Sequence, residues 1–379
     1  MLPNWIVNIR TLVFVGISSS GLYGRIPLGF SELPNLKSLD LNSNENLSAS
    51  ASQLFWGSRR KIEEIDFSIN KLHGKLPASL GNTTSLIYLD LSNNVVKGGI
   101  PSSIVVDLSS NHLKGSIPRP GVEVQLLDFS DNHFSCPLPE NIGQIMPNLG
   151  FLSISRNQII GAIPASIGEL SSLIALDLSE SLGQLNLLQT LHLSDNRLSG
   201  AISSALQNLS ILETLDLGNN RLIGNIPPWI GEAFPSLRIL RLGSNAFYGE
   251  IPPALSNLRS LQVLDVAENK LNGTIPASFG NLKAMAKIQN GLHYLFYGRF
   301  SFGGSSLHFF QENLNVNING QPLVYTKILS LLSLLTSIDL SGNNLYGQLP
   351  EEITKLVGLV FLNLSRNHIS GQIPKSISE

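Results

Sequence analysis

Leu237–Pro252 reads LRILRLGSNAFYGEIP, and Leu359–Pro374 reads LVFLNLSRNHISGQIP. Both follow L-x-x-L-x-L-x-x-N-x-L-x-G-x-I-P, which returns along almost all of the 379 residues at intervals of mostly 24 or 25. A repeat of this length is one supersecondary unit that cannot bury its apolar face alone, so its copies stack. A one-dimensional stack presents a long concave surface, and binding rather than catalysis is the first expectation.

Each element of the repeat has a physical task. L-x-L is a short strand whose Leu side chains point inward while the x positions point out. The Asn recurs at Asn44, Asn70, Asn94, Asn111, Asn132, Asn157, Asn196, Asn220, Asn245, Asn269, Asn343 and Asn367. It sits where the chain turns inward, and its amide can bond backbone groups of its own and the next coil, where an unmade buried bond costs about 1–3 kcal/mol. Gly in G-x-I-P permits a backbone angle that other residues resist, and Pro fixes φ and needs no hydrogen-bond partner. The predicted fold is a leucine-rich-repeat solenoid, a right-handed superhelix of about 13–14 coils with a parallel β-sheet on its concave face.

Three intervals break the pattern and set the domain boundaries. Asn94 to Asn111 is 17 residues and Asn157 to Asn196 is 39, which predicts irregularity at 101–106 and 179–187 within a repeat region 1–281. In the second gap, LIALDLS at Leu173–Ser179 reads as a coil that has lost its Asn, Gly and Ile-Pro. Asn269 to Asn343 is 74 residues, so an insertion, the island, spans 282–334 before repeats resume at 335–379. Aromatic residues crowd the island, and Asn313–Ile318 (NLNVNI) alternates as a strand does. Long insertions of this kind are usually functional.

Composition narrows the function. There are 25 basic and 27 acidic residues, a formal charge of −2, which argues against a nucleic-acid or anionic-membrane surface. The single Cys136 leaves no internal disulfide, and the scattered His residues lack metal-ligand spacing, so neither a metal nor a cofactor is expected. Met1-Leu-Pro-Asn-Trp-Ile lacks a basic start and an apolar core, and no run of about 18 apolar residues marks a membrane span. The sequence reads as starting and ending inside repeats, like the middle of a longer array.

The middle outward position of the strand is mostly Asp: Asp40, Asp66, Asp90, Asp107, Asp128, Asp177, Asp216, Asp265 and Asp339. A column of carboxylates superficially matches the paired acids of glycoside hydrolysis, but that chemistry needs one singular pair flanking a cleft. No catalytic residue is assigned. Departures from the column carry more information: Gly16, Ser153, His192, Arg241 and Asn363, with Phe14, Tyr88, Phe151, Ile239, Val263 and Phe361 beside it. Exposed aromatic residues and Arg are enriched at interface hot spots. The expected concave binding surface is therefore Tyr88, Phe151, His192, Ile239 and Arg241. Five N-x-S/T sequons, at Asn46, Asn82, Asn208, Asn272 and Asn363, would carry glycans on a secreted chain.

The G-x-I-P repeat preceded by L-D-L-S-x-N resembles the plant-specific leucine-rich-repeat class. The order of an aromatic island, then Tyr325-Thr-Lys-Ile-Leu, then Ser337-Ile-Asp-Leu-Ser-Gly-Asn-Asn-Leu and Leu359-Val-Phe-Leu-Asn-Leu-Ser-Arg-Asn-His, resembles the plant cell-surface receptor-like proteins. Lys71-Leu-His-Gly-Lys-Leu-Pro-Ala-Ser-Leu-Gly-Asn is similar to the branch that senses fungal xylanases and related glycoside hydrolases. The resemblance implies a non-enzymatic ectodomain segment on the outer side of the plasma membrane. Its implied ligand is an extracellular protein or peptide, including a microbial cell-wall hydrolase, and it would signal through co-receptor and adaptor kinases. The family's signal peptide, cysteine-paired caps and membrane span have no counterpart in these residues. In the family the island meets a co-receptor, with a Lys and a Tyr six positions on. Here those positions read Asn319 and Tyr325, with Tyr297 and Phe309 as further island candidates, and the missing Lys implies weak co-receptor association. Two other readings fit the repeat: a secreted inhibitor of microbial cell-wall hydrolases, and a non-functional truncated receptor.

Overall fold

The computed structural model describes residues 1–55, 61–77, 80, 83, 85–98, 105–117, 124, 126–171, 188–288, 296–302, 306–311, 314–318, 321–325, 336–372 and 374. The chain forms two units. Unit 1 is Met1–Asn186 with Asp195–Arg197, and unit 2 is Leu187–Ser194 with Leu198–Glu379. Each is a stretch of leucine-rich-repeat solenoid.

In unit 1 the described L-x-L strands run parallel, one per coil, from Phe14–Gly16 through Ser38–Asp40, Glu64–Asp66, Tyr88–Asp90, Val105–Asp107 and Leu126–Asp128 to Phe151–Ser153. In unit 2 the same sheet type joins Thr190–His192, Thr214–Asp216, Ile239–Arg241, Val263–Asp265, Ser337–Asp339 and Phe361–Asn363. Register is strict: Leu215, Leu240, Leu264 and Ile338 stand opposite one another and are fully buried. Each such side chain contributes about 1.5–3 kcal/mol by burial.

The Asn ladder does what the sequence implied. Asn94 Nδ2 donates to the carbonyls of Phe67, Leu91 and Ser92 at 2.8–3.1 Å, while its Oδ1 accepts from Leu72 N–H at 2.8 Å. One side chain thus ties two coils, and the pattern repeats at Asn132, Asn245 and Asn343. The 17-residue coil keeps both links: Tyr88–Asp90 pairs with Val105–Asp107, and Asn111 Nδ2 reaches Leu91 O at 2.8 Å. At the second gap, Asn196 Nδ2 donates to Ile154 O and its Oδ1 accepts from Ile159 N–H, both at 2.9 Å. The ladder therefore links Asn157 directly to Asn196, and LIALDLS at 173–179 lies outside the described residues.

A second set of strands was not anticipated. After the Asn, the chain stays extended and pairs again, as in Asn46–Ser50, Lys71–Leu76 and Val95–Gly98 of unit 1, and Ala246–Glu250 with Lys270–Asn272 of unit 2. The repeat Gly ends this segment in the left-handed region, with φ +82° at Gly249 and +79° at Gly273. Pro then opens a short 3-10 helix such as Pro253–Asn257 or Ala277–Asn281. The island holds two antiparallel hairpins, Phe296–Phe302 with Ser306–Gln311 and Leu314–Ile318 with Gln321–Tyr325, so the alternating NLNVNI segment is a strand from Leu314 onward. Leu282 and Met285, at the head of the segment read as island, are fully buried, and Gly358 N–H donates to Met285 O at 2.9 Å.

The residue before each ladder Asn also takes positive φ, between 50° and 56° at its non-glycine occurrences. Most are Ser, Asn, Asp or charged, but Ile69 holds φ 53° with a β-branched side chain that is 41% exposed. Left-handed backbone costs an L-residue about 1–2 kcal/mol, and Asn less than Ile. Ile69→Asn is expected to raise the melting temperature of unit 1 by about 2–4 °C, measured by calorimetry; an unchanged or lower value means the turn carries no such strain.

Candidate ligand-binding face

The outward column of unit 2 runs His192, Asp216, Arg241, Asp265, Asp339 and Asn363, each opposite the next. Arg241 stands between two carboxylates. Its Nη1 donates to Asp216 Oδ2 at 2.8 Å, and its Nε lies 3.5 Å from Asp265 Oδ2, an ion-pair distance longer than a hydrogen bond. Asp216 also accepts from Ser194 Oγ at 2.9 Å and Gly218 N–H at 3.1 Å, with His192 Nδ1 3.6 Å away. Burial alone would raise the Asp216 carboxyl. The Arg241 guanidinium and the His192 contact outweigh it and hold the group down at about 2. Burial wins at Asp265, which is raised despite Arg241. The repeat Ser is replaced here by Gly218 and Gly243, and Gly243 leaves room for the Asp265 carboxylate that Arg241 faces. A Cβ at Gly243 would stand 2.4 Å from Asp265 Oδ1. Those two glycines, in L-D-L-G and L-R-L-G, were the sequence signal for this clamp.

Beyond the clamp the column opens into a groove of ≈ 330 Å³, lined by Arg241, Asp265, Glu268, Asp339, Phe361, Asn363 and Arg366 among others. Glu268 and Arg366 form an ion pair between non-adjacent coils. It passes over Gly342, where a Cβ would stand 2.5 Å from Glu268 Oε1. Arg366 is 70% exposed and Glu268 45%, so the pair adds little to stability and presents charge to solvent. Asn363 Nδ2 donates to Asp339 Oδ2 at 3.1 Å, while its Oδ1 accepts from Ser365 Oγ at 2.8 Å. Glu268 and Arg366 occupy the position before the ladder Asn, to which the repeat pattern assigned no role.

The unit 1 column differs. Asp40, Asp66, Asp90, Asp107 and Asp128 follow one another in register with no Arg or Lys between them. Burial pushes Asp66 up, Asp107 well up and Asp90 to about 7, and neighbouring carboxylates add to each shift. Tyr88 is half-buried; its hydroxyl donates to Asp90 Oδ2 at 3.3 Å and is raised well above 10, first by burial and then by Asp90, Asp66 and Asp107.

Other expected contact residues are less accessible than their outward position implied. Phe151 is 3% exposed, His192 5% and Ile239 1%. Ile239 lies between Thr214 and Val263 in adjacent strands. At a strand spacing of about 4.8 Å, neighbours in the same column cover a side chain's flanks, so outward orientation does not guarantee exposure. Tyr88 and Phe151 belong to unit 1, His192, Ile239 and Arg241 to unit 2. Tyr297, Phe309 and Tyr325 lie on the island strands, whereas Asn319 and Asp177 fall outside the described residues. Among the sequons, Asn46, Asn208 and Asn272 are exposed, Asn363 is half-buried on its strand, and Asn82 lies outside the described residues. Among those residues no helix is long and apolar enough to cross a membrane, and no group of three or more His, Cys, Asp or Glu is placed to hold a metal ion.

Profiles of the family described as leucine rich repeat match residues 186–247, 85–106, 260–282, 334–356 and 358–379. Receptor-like protein 14 of Arabidopsis thaliana is 30% identical over 202 residues, 48% of this chain and 20% of that protein. Receptor-like protein 35 of the same plant is 31% identical over 213 residues, 53% of this chain and 21% of that protein. These matches thus span about a fifth of the relatives' own length. Among solved structures, the plant peptide hormone receptor RGFR1 in complex with RGF2 is 26% identical with a TM-score of 0.74, covering 100% of this chain and 55% of that one. The Arabidopsis receptor kinase HAESA, in complex with the peptide hormone IDA and the co-receptor SERK1, is 26% identical with a TM-score of 0.73, covering 100% and 57%. The repeat, the stacked parallel strands and these relatives agree: this chain is a leucine-rich-repeat protein related to the plant receptor-like proteins.

Proposed function

We propose that the chain is an extracellular ligand-recognition segment of a plant receptor-like protein, and that unit 2 binds a protein or peptide in the groove between Arg241 and Arg366. The supporting observation is the groove itself, where Phe361 and the exposed Glu268–Arg366 pair stand on a rigid sheet. A rigid scaffold with an aromatic residue and an Arg at its mouth is what interface hot spots use. Arg241 acts at the floor, where its charge is committed to Asp216 and Asp265, and Ile239 and His192 support it from beneath the surface. Tyr88 and Phe151 would extend recognition into unit 1, and the island would add contacts through Tyr297, Phe309 and Tyr325. Signalling would pass through a partner kinase. A microbial cell-wall hydrolase is the ligand class favoured by the Lys71–Asn82 segment.

The test is surface plasmon resonance with the secreted chain and a purified fungal xylanase. Arg366→Ala with Phe361→Ala is expected to weaken binding by about 30-fold, about 2 kcal/mol. Equal binding by the variant would remove the groove from the interface, and no binding by the native chain would remove the hydrolase as ligand.

A further inference from the structure

The acids and bases of unit 1 are segregated. Asp66, Asp90, Asp107 and Asp128 stand on the first strands of their coils. The second strands, Lys71–Leu76, Val95–Gly98, Lys114–Gly115 and His133–Phe134, hold Lys and His and no Asp or Glu. The near-zero formal charge conceals this division. Lys75 and Lys97 are exposed and stand directly opposite each other in register. Val96 O accepts from His112 N–H at 3.3 Å, so His112 follows Lys97 in the next coil. The equivalent bond, His133 N–H to Leu113 O at 2.8 Å, accompanies the register pair Lys114 and His133. The His112 and His133 rings meet edge to face, with centroids 5.7 Å apart. Lys75, Lys97, His112, His133 and Lys114 thus form one exposed cluster over four consecutive coils. The row from Lys75 to His112 is about 10 Å long, twice the strand spacing.

Like charges directly opposite across strands destabilise a sheet, and the repeat needs no cation at these positions. Other lysines of unit 1 find partners. Lys37 Nζ meets Glu63 Oε1 at 2.6 Å, and Lys71 Nζ donates to Asn46 Oδ1 at 2.7 Å. The side chains of Lys75, Lys97 and Lys114 show no hydrogen bond or ion pair among the described residues. Asp131, the acid nearest His133 in sequence, accepts from Ser110 Oγ at 3.2 Å. We infer that this cluster binds an anionic cell-wall polysaccharide, a chain of uronic acids whose carboxylates pair with the lysines and whose hydroxyls bond the imidazoles. A polyuronate carries one carboxylate per pyranose. A pyranose is about as long as the gap between coils, about 4.8 Å, so successive sugars can follow successive coils. Lys is a point charge on a flexible stem, which absorbs the rotation from one sugar to the next. The choice of a wall polymer rests on the extracellular reading, but the site lies on the second strands of unit 1 and not in the groove of unit 2.

The test is biolayer interferometry of the full chain on immobilised polygalacturonate, beside its fully methyl-esterified form. The native chain is expected to bind the free acid and not the ester. Binding should weaken as salt rises, because exposed charges are screened. Lys75→Gln/Lys97→Gln/Lys114→Gln should weaken binding about 10-fold, the sum of three exposed charge pairs, without lowering the melting temperature. Phe361→Ala/Arg366→Ala in unit 2 should bind polygalacturonate as the native chain does. Native-like binding by the lysine variant, equal binding to acid and ester, or no binding by the native chain overturns the inference and leaves the groove reading standing. Tighter binding to phosphatidylserine vesicles than to polygalacturonate overturns it in favour of a lipid surface. Lysine-dependent binding by a chain that plant cells retain inside keeps the site and overturns the extracellular reading.

Discussion

Replacing Arg241 with alanine is expected to cost unit 2 about 3–5 kcal/mol, the penalty for removing one partner from a buried charge pair. Asp216 is 3% exposed and would be left buried without its strongest partner, while Asp265 next along the column would lose the Arg241 guanidinium beside it. The loss should concentrate in Thr214–Asp216, Ile239–Arg241 and Val263–Asp265, because these strands exchange the pairing. Native-state hydrogen exchange reads it strand by strand. Combining Arg241→Met with Asp216→Asn should recover much of the loss, since a neutral pair leaves no buried charge. A loss below about 1 kcal/mol in the single variant would mean that solvent reaches the pair and that it behaves as a surface bridge. The result also separates roles at the groove: an Arg241 variant that loses ligand together with structure marks the residue as a support.

Unit 1 is expected to grow more stable as pH falls from about 7.5 to 5. Asp90 titrates at about 7 in the fold against an ordinary 3.8, and Asp66 and Asp107 are raised as well. Between those values the folded chain binds more protons than the unfolded one, so its stability drops as pH rises. The first cause is burial, and the unbroken register from Asp40 to Asp128, with no cation in the column, adds repulsion from neighbouring carboxylates. A full shift of one unit is worth about 1.4 kcal/mol. The column is partly wetted, so about 1–2 kcal/mol is the expected total after screening. Asp90→Asn should remove most of the pH dependence and stabilise unit 1 at pH 7.5 by a similar amount. Thermal melts at pH 5 and 7.5 decide it, and an Asp90→Asn variant with the native pH slope would sink the idea. Asp216 works in the opposite sense. Its folded value of about 2 lies below 3.8, so its contribution is present above the unfolded value and fades only as pH falls toward 2.

The L-x-x-L-x-L-x-x-N frame was legible because each residue of the repeat answers to a local demand. Leu240 must be apolar to fill a coil, Asn245 must present an amide to two coils, and Gly249 must adopt φ +82°. Such demands depend on a residue's own backbone and on neighbours one period away, and a one-dimensional stack has few other contacts. Strand positions, the Asn bonding and the island's hairpin strand followed from that. The direct link from Asn157 to Asn196 did not, because the 39-residue interval does not show which Asn comes next and only the ladder's hydrogen bonds do.

The candidate site was legible in part. Arg241 stood out as a departure from the Asp column, and the sequence marked it as a contact for a ligand; the fold spends it on Asp216 and Asp265. Glu268 and Arg366 stand 98 positions apart in the sequence, and no motif joins them. Stacking removes the island from their separation and lets them meet above Gly342. Ile239 pointed outward by strand alternation and was still covered, because exposure depends on the sizes of Thr214 and Val263 beside it. The sequence by itself determined the coil, its register and the identity of the core, since periodicity and local backbone chemistry fix these. Only the tertiary structure decided which charges neutralise one another and which side chains reach solvent, since both depend on side-chain neighbours in adjacent coils, and the repeat constrains those positions only loosely.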